Sequence, residues 1–244
     1  MSEDRVVGES LQVSVLGTFR LCSGADALPA VVGGSQRLLA LLGLRDRALM
    51  RASVAGTLWP ESTEEHAYSS LRSALGRLNL MNRHAVAATP LDLCLANGVS
   101  VDIRRARTLA HQLLDERTPS SALDLGRQSI SDLSLDVLPD WYDDWVLAEA
   151  EEWRQLRLHA LEALADRLLQ QERFGEAASA ALAAVRADPL RESARALLIR
   201  VHLAEGNQSE ALSEFVRYRA LLVAELGLEP TPRLLGIVAD LHPR

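Results

Sequence analysis

Three sets of residues recur at one interval in the second half of the chain: Leu164 with Leu198, Leu169 with Leu203, and Glu176-Ala177 with Glu210-Ala211 are each 34 residues apart. That is the tetratricopeptide period, whose unit is a helix pair. Such a pair cannot bury its apolar face alone, so successive pairs stack on a shared core. The small side chains of Ala177, Ala178, Ala181 and Ala184 allow close helix approach. The pattern predicts helices from Leu147 to Gln171, Gly175 to Ala187, Arg191 to Ala204 and Gln208 to Leu226, punctuated by Pro189 and the segment from Gly227 to Pro232. A last helix is expected from Pro232 to Leu241. Upstream, Arg104 to Glu116 and Ser120 to Ser131 are expected as one pair broken by Thr118-Pro119, with a loop from Asp132 to Pro139. The concave surface of such a stack either takes a peptide or partner helix, or is filled by the final helix and the first domain.

The first hundred residues follow a different pattern. From Leu58 to Leu78 they read LWPESTEEHAYSSLRSALGRL. Ser62-x-x-Glu65 has the spacing of a capping box, in which hydroxyl and carboxylate each satisfy an orphan amide, so a helix is expected to start near Thr63. Ala67, Leu71, Ala74, Leu75 and Leu78 recur at three- and four-residue steps and share a stripe that must be buried. The opposite face carries Ser69, Arg72, Ser73, Gly76 and Arg77, and no Asp or Glu occurs from His66 to Leu91. That local field favours a polyanion. Alone, such a helix is an ordinary surface helix with a solvated face; its flanks change the reading. Leu11 to Leu16 and Thr18 to Ser23 read as strands, and Ser35 to Leu44 and Ala52 to Trp59 as short helices. Ala85 to Ala88 and Asp92 to Ala96 form the arms of a hairpin about Thr89-Pro90-Leu91, and Asn97-Gly98 marks the next turn. Strands, three helices and a hairpin make a winged helix-turn-helix, in which the third helix enters the major groove and the hairpin lies along the backbone.

All 26 basic residues are arginine. Without a lysine there is no phosphate-gripping ε-amine for a Walker A loop and no Schiff-base amine, which excludes those ATPase and pyridoxal chemistries. Arginine is also the better fork for phosphate or guanine. The net charge of −7 divides unevenly: through Arg104 there are ten arginines and ten acids, and beyond it sixteen arginines and twenty-three acids. DNA affinity depends on which charges face the phosphates, whereas the global sum acts on solubility and steering. No segment approaches the roughly 20 apolar residues that cross a bilayer, and the acidic start MSEDRVVGES lacks the form of a signal peptide, so a cytoplasmic protein without membrane partners is expected. Cys22 and Cys94, both on expected strands, read as core thiols, and no metal site is expected.

The runs LQVSVLGTFRL, RLLALLGL and LWPESTEEHAYSSLRSALGRL resemble the winged-helix domain of the Streptomyces antibiotic regulatory protein-like family of transcriptional activators. The rest, from PDWYDDWVLAEAEEWRQLRLHALEALADRLL through AALAAVRADPLRESARALLIRVHLAEGNQSEAL to FVRYRALLVAELGLEPTP, is similar to that family's bacterial transcriptional activator domain. The resemblance implies a mainly α chain with a small α+β part: an OmpR-like winged helix-turn-helix over 1–102, then a tetratricopeptide-like all-α domain over 103–244. It further implies an activator that binds double-stranded promoter DNA, often at direct repeats, and contacts RNA polymerase or its sigma subunit; a homodimer on DNA is compatible with such repeats, which do not require a stable dimer in solution. Where the family commonly has an aromatic residue this chain has Gly76; Asn79 stands in a run that is more basic in the family, and the wing carries Asp92. These departures point toward reduced DNA affinity. They keep a second reading open, a partner-binding scaffold or anti-activator.

The histidines are scattered and form no HExxH, no GxSxG elbow is present, and Asp143-Asp144 point in different directions on a helix. No enzyme and no cofactor are expected. On the DNA-facing side, Arg72 and Arg77 are the candidates for base or phosphate contact, Ser69, Ser70 and Ser73 the hydroxyl donors, Arg83 a backbone clamp and Arg37 a further phosphate contact. Three phosphate contacts correspond to a salt slope of about −2.7, at roughly −0.9 per contact. Trp141, Tyr142 and Trp145, interleaved with aspartates, are the richest aromatic cluster. Buried, they pin the loop against the helices; exposed, they form a protein-docking patch.

Overall fold

The computed structural model describes residues 11–24, 26–27, 31, 33–78 and 85–239. The chain forms two compact units, Met1–Arg105 with Asp136–Ala150, and Ala106–Leu135 with Glu151–Arg244. The stretch Asp136–Ala150, expected within the second domain, therefore belongs spatially to the first unit.

In chain order the first unit carries β1 (Leu11–Ser14), β2 (Arg20–Ser23), β3 (Asp26–Ala27), α1 (Gly34–Leu44), β4 (Leu49–Met50), α2 (Arg51–Leu58), α3 (Glu64–Arg77), β5 (Val86–Ala88), β6 (Asp92–Leu95) and β7 (Ser100–Val101). The sheet orders are β3-β2-β1-β7 and β4-β6-β5. The expected hairpin is present, with Val86 opposite Leu95 and Ala88 opposite Leu93. Three short strands were not expected: β3 pairs with β2 through Ala27 opposite Cys22, β4 joins the hairpin through Leu49 opposite Leu93, and β7 runs parallel to β1 with Val101 opposite Val13. Every residue from Leu38 to Leu44 is buried, so α1 is the central helix on which α2 and α3 pack. Asp102, which opens α4 (Asp102–Leu114), accepts the amide N–H groups of Val15 (2.9 Å), Leu16 (3.2 Å) and Ile103 (2.8 Å) and so holds the end of β1. Burial pushes its carboxyl above the ordinary aspartate range although these donors favour the charged form.

The second unit is helical. After a single 3-10 turn at Ser120–Ala122 come α5 (Arg127–Ser134), α6 (Asp144–Gln170, whose first residues lie in the other unit), α7 (Phe174–Ala187), α8 (Glu192–Ala204), α9 (Gln208–Leu226) and α10 (Pro232–Val238). The expected helix from Ser120 to Ser131 is thereby corrected. Asp124 accepts the Gly126 N–H at 2.9 Å and its carbonyl accepts the Ser129 hydroxyl at 2.5 Å, so a local turn displaces helix until Arg127. The end expected for the last helix, Leu241, lies outside the described residues.

The 34-residue period extends to burial and to backbone geometry. Leu164 and Leu198 are buried, Leu169 and Leu203 half-buried, and Ala177 and Ala211 fully buried. Each helix pair turns through the same hydrogen bond, Arg173 N–H to the Leu168 carbonyl (3.0 Å) and Asn207 N–H to the His202 carbonyl (2.8 Å). The left-handed residue of the turn is Glu172 (φ 59°) in the first pair and Gly206 (φ 86°) in the second, again 34 apart. Helix α10 packs on α8 and α9, placing Leu234 and Val238 in a core with Ile199, Phe215 and Tyr218. A 590 Å³ cavity remains between α6, α8 and α10, lined by Glu162, Asp166, Glu192, Arg200 and Arg233 among others.

Candidate nucleic-acid interface

Helix α3 starts one residue later than a box on Ser62 implies. Its N-cap is Thr63, whose hydroxyl accepts the His66 N–H (3.4 Å) and lies 3.1 Å from the His66 ring Nδ1. His66 thus takes the place that a capping-box glutamate occupies, and Glu65 is exposed. The expected stripe is buried at Ala67, Leu71, Ala74 and Leu78, with Leu75 half-buried. The Ser35 hydroxyl, itself buried, donates to the Ala74 carbonyl at 2.7 Å and locks α1 to α3. At Gly34 the two helices meet closely. A Cβ there meets Trp59 Cζ2 at 3.0 Å and the Ala74 Cβ at 3.4 Å, so glycine relieves a tight contact that a larger residue resolves only by displacing the Trp59 ring by a few tenths of an ångström.

With that face held, the remaining positions of α3 point outward. Ser69, Arg72, Ser73, Gly76 and Arg77 are exposed, and Ser70 is half-buried. Among the described residues no hydrogen bond or ion pair engages the guanidinium of Arg72 or Arg77. A Cβ at Gly76 meets nothing within 4 Å, so neither packing nor a left-handed backbone accounts for the missing side chain.

Of the other described arginines of this unit, Arg37, Arg45, Arg51 and Arg104 are committed to structure, whereas no hydrogen bond or ion pair engages the side chains of Arg20 and Arg105. Arg37 pairs with Asp143, a position in which its charge is already matched. Arg45 pairs with the buried Glu149 at 2.6 Å. Arg104 donates to the carbonyls of Gly43 (3.2 Å), Leu42 (3.0 Å) and Arg45 (2.6 Å). Arg83 lies outside the described residues. The wing turn is tightly bonded: the Thr89 hydroxyl accepts the N–H groups of Leu91 (3.2 Å) and Asp92 (3.0 Å) and donates to the Asp92 carboxylate at 2.5 Å. Arg51 braces this turn from α2, its Nε donating to the Thr89 carbonyl at 2.8 Å and its amide to Leu91 at 2.9 Å. The sequence reading did not single out Arg51, because its partner is 38 residues away and no local pattern marks it. The wing offers no basic side chain, and Leu91 at its tip is 76% exposed.

The aromatic cluster divides. Trp141 stacks on Phe19 with ring centroids 6.1 Å apart and meets Trp145 edge-on at 6.3 Å. Trp145 is 8% exposed and Tyr142 81%. Two of the three rings are thus packed within the unit, and the third faces solvent.

Residues 101–241 match the bacterial transcriptional activator domain. The regulatory protein AfsR of Streptomyces griseus is 29% identical over 239 residues, covering 93% of this chain and 24% of that protein. AfsR of Streptomyces coelicolor is 30% identical over 235 residues, covering 92% of this chain and 23% of that protein. The chain therefore spans about a quarter of the length of these curated relatives. The solved structure titled Mycobacterium tuberculosis EmbR in complex with low affinity phosphopeptide shares the fold, with a TM-score of 0.65 at 23% identity over 96% of this chain and 66% of that one. Among the described residues no helix is long and apolar enough to cross a membrane.

Proposed function

The chain belongs to the bacterial transcriptional activator domain family, a family of transcription regulators, and from that premise we propose that it is a sequence-specific activator that reads promoter DNA with α3 in the cytoplasm. The observation that carries this reading is the exposed, acid-free face of α3, where Arg72 and Arg77 are left unengaged while Arg37, Arg45 and Arg104 are bound up in the fold. An arginine fork reads guanine O6 and N7 in the major groove, and Ser69, Ser70 and Ser73 supply hydroxyls to bases or phosphates. Arg83 acts as a backbone clamp. A footprint of two or three arginines gives weak binding by one module, so two copies on repeated half-sites, or cooperation with RNA polymerase or its sigma subunit, complete the affinity. The domain division that goes with this function is DNA reading over 1–102 and activation over 103–244.

The test is fluorescence anisotropy on the promoter DNA flanking the protein's own gene, at two salt concentrations, with wild type and Arg72→Ala/Arg77→Ala. Specific, salt-dependent binding lost in the double variant is the expected result. A second reading, a partner-binding scaffold or anti-activator, is favoured by the wing, where basic side chains are missing and Leu91 and Met50 are exposed. Absence of specific binding at low salt supports that alternative.

A further inference from the structure

The 590 Å³ cavity between α6, α8 and α10 follows the 34-residue period and lies wholly within the second unit. Asp166, Arg200 and Leu234 line it at one repeat position, and Ala163, Leu197 and Thr231 at another. Helix α10 therefore takes the place of the leading helix of a third repeat, so it extends the concave wall and leaves a cavity beside it. The floor of that cavity is apolar. Leu234 is fully buried and Leu197 6% exposed, and Ala163, Ala196 and Ile237 continue the same surface. Its volume falls in the range of about 300 to 1,000 Å³ over which proteins hold small ligands.

The polar groups of the rim are unequally satisfied. Glu162 accepts Arg191 Nε (2.7 Å) and the Ser193 hydroxyl (2.6 Å) on one oxygen and Arg191 Nη2 (3.2 Å) on the other. Glu192 accepts the Thr231 N–H at 3.0 Å and the Thr231 hydroxyl. Asp166 accepts Arg200 Nη2 at 3.2 Å and Gln170 Nε2 at 2.7 Å on separate oxygens. Each of these carboxylates thus has both oxygens in use. Donors, in contrast, are in surplus. Among the described residues no hydrogen bond or ion pair engages the guanidinium of Arg233, and Arg200, with its side chain 49% exposed, spends one N–H on Asp166. His159 Nδ1 lies 3.0 Å from Arg191 Nη2, a group that only donates, so the imidazole keeps its proton on Nε2 as a further donor.

We propose that this cavity is a ligand site for a small amphipathic carboxylate. The apolar body lies on Leu197, Leu234 and Ile237, and the carboxylate accepts the guanidinium fork of Arg233, with Arg200 as a second donor from α8. An amine meets only carboxylates already in use, and an alcohol answers fewer of the waiting N–H groups. The site belongs to the helical unit and does not depend on DNA reading by α3.

The experiment titrates the full chain with sodium octanoate by calorimetry, with octanol, octylamine and the free acid of acetyl-Leu-Leu-Leu in parallel. Octanoate is expected to bind at a single site, with affinity rising about fourfold for each methylene from butanoate to octanoate. Arg233→Ala weakens octanoate binding about tenfold, Arg233→Lys recovers part of the loss, and Ala196→Phe, which fills the floor, abolishes binding. Octanol binds about tenfold more weakly than octanoate, and octylamine does not bind. Because Arg233 has no partner in the free chain, Arg233→Ala leaves ligand-free thermal melting unchanged, whereas octanoate raises the melting temperature of wild type more than that of either alanine or phenylalanine variant. Octanoate binding that survives both Arg233→Ala and Ala196→Phe overturns the proposal, as does wild type that fails to bind millimolar octanoate. Binding of the tripeptide without binding of octanoate overturns it in favour of a peptide end in the groove.

Discussion

Helix α3 and the Tyr142 turn lie in the same unit and carry opposite charge. The chain from His66 to Leu91 has no acid, and that from Gln128 to Trp153 has no base. Both display exposed side chains on a backbone braced from beneath, α3 by Ser35 and its buried stripe, the turn by Leu138 and the two tryptophans. The difference shows how a chain of net charge −7 can offer a surface to a polyanion. Beyond a Debye length of about 8 to 10 Å an exposed charge is screened, so the local field, and little of the global sum, acts on a docked partner. The same side-chain types serve both purposes according to whether they are paired: Arg37 and Asp143 cancel each other inside the unit, while Arg72 and Asp140 stand outside it.

That comparison can be broken from beneath. Trp145→Ala is expected to cost about 3 to 5 kcal/mol, as for other buried aromatics, and to release the Tyr142 turn while leaving the Arg72 and Arg77 face of α3 in register; a denaturant titration with tryptophan fluorescence measures it. Arg72→Ala or Arg77→Ala instead leaves stability within about 0.5 kcal/mol and lowers promoter affinity. A loss of about 1 to 3 kcal/mol confined to the cognate sequence identifies base reading, and an equal loss on all sequences identifies phosphate contact.

Two smaller effects sharpen the account of α3. Thr63→Ala is expected to lower stability by about 1 kcal/mol through loss of the N-cap, with Ser62→Ala near neutral; the reverse order in thermal melting restores Ser62 as the cap. Gly76→Ala is expected to raise stability by about 0.5 to 1 kcal/mol, since the site is open and helical. If the same substitution weakens DNA binding with stability raised, the missing Cβ marks close approach of the α3 backbone to DNA.

Much of the fold was legible because its signals are local. Helix α9 begins and ends where its pattern predicts, from Gln208 to Leu226, and the recurrence of Leu164 at Leu198 anticipates two turns of equal geometry. The stripe on α3 reports its buried face for the same reason: periodicity of 3.6 residues is a property of consecutive side chains. The failures are equally physical. Asp124 competes for its neighbours' hydrogen bonds and displaces the start of an expected helix to Arg127, and β3, β4 and β7, of two residues each, are too short to show an alternation. Of the candidate site, the outward face of α3 was readable, whereas the brace from Arg51 to the wing was not.

By itself the sequence determined the helices of the repeat region, where the repeats fall, and where acid and base are segregated, all of which depend on spacing along the chain. Only the tertiary structure decided that Arg37 is spent on Asp143, 106 residues away, that Asp136–Ala150 joins the first unit, and that Trp145 is buried while Tyr142 faces solvent. Those outcomes turn on which distant surfaces meet. Burial and ion pairing are set by contacts whose entropic cost is offset only when the whole unit packs, and no window of consecutive residues contains them.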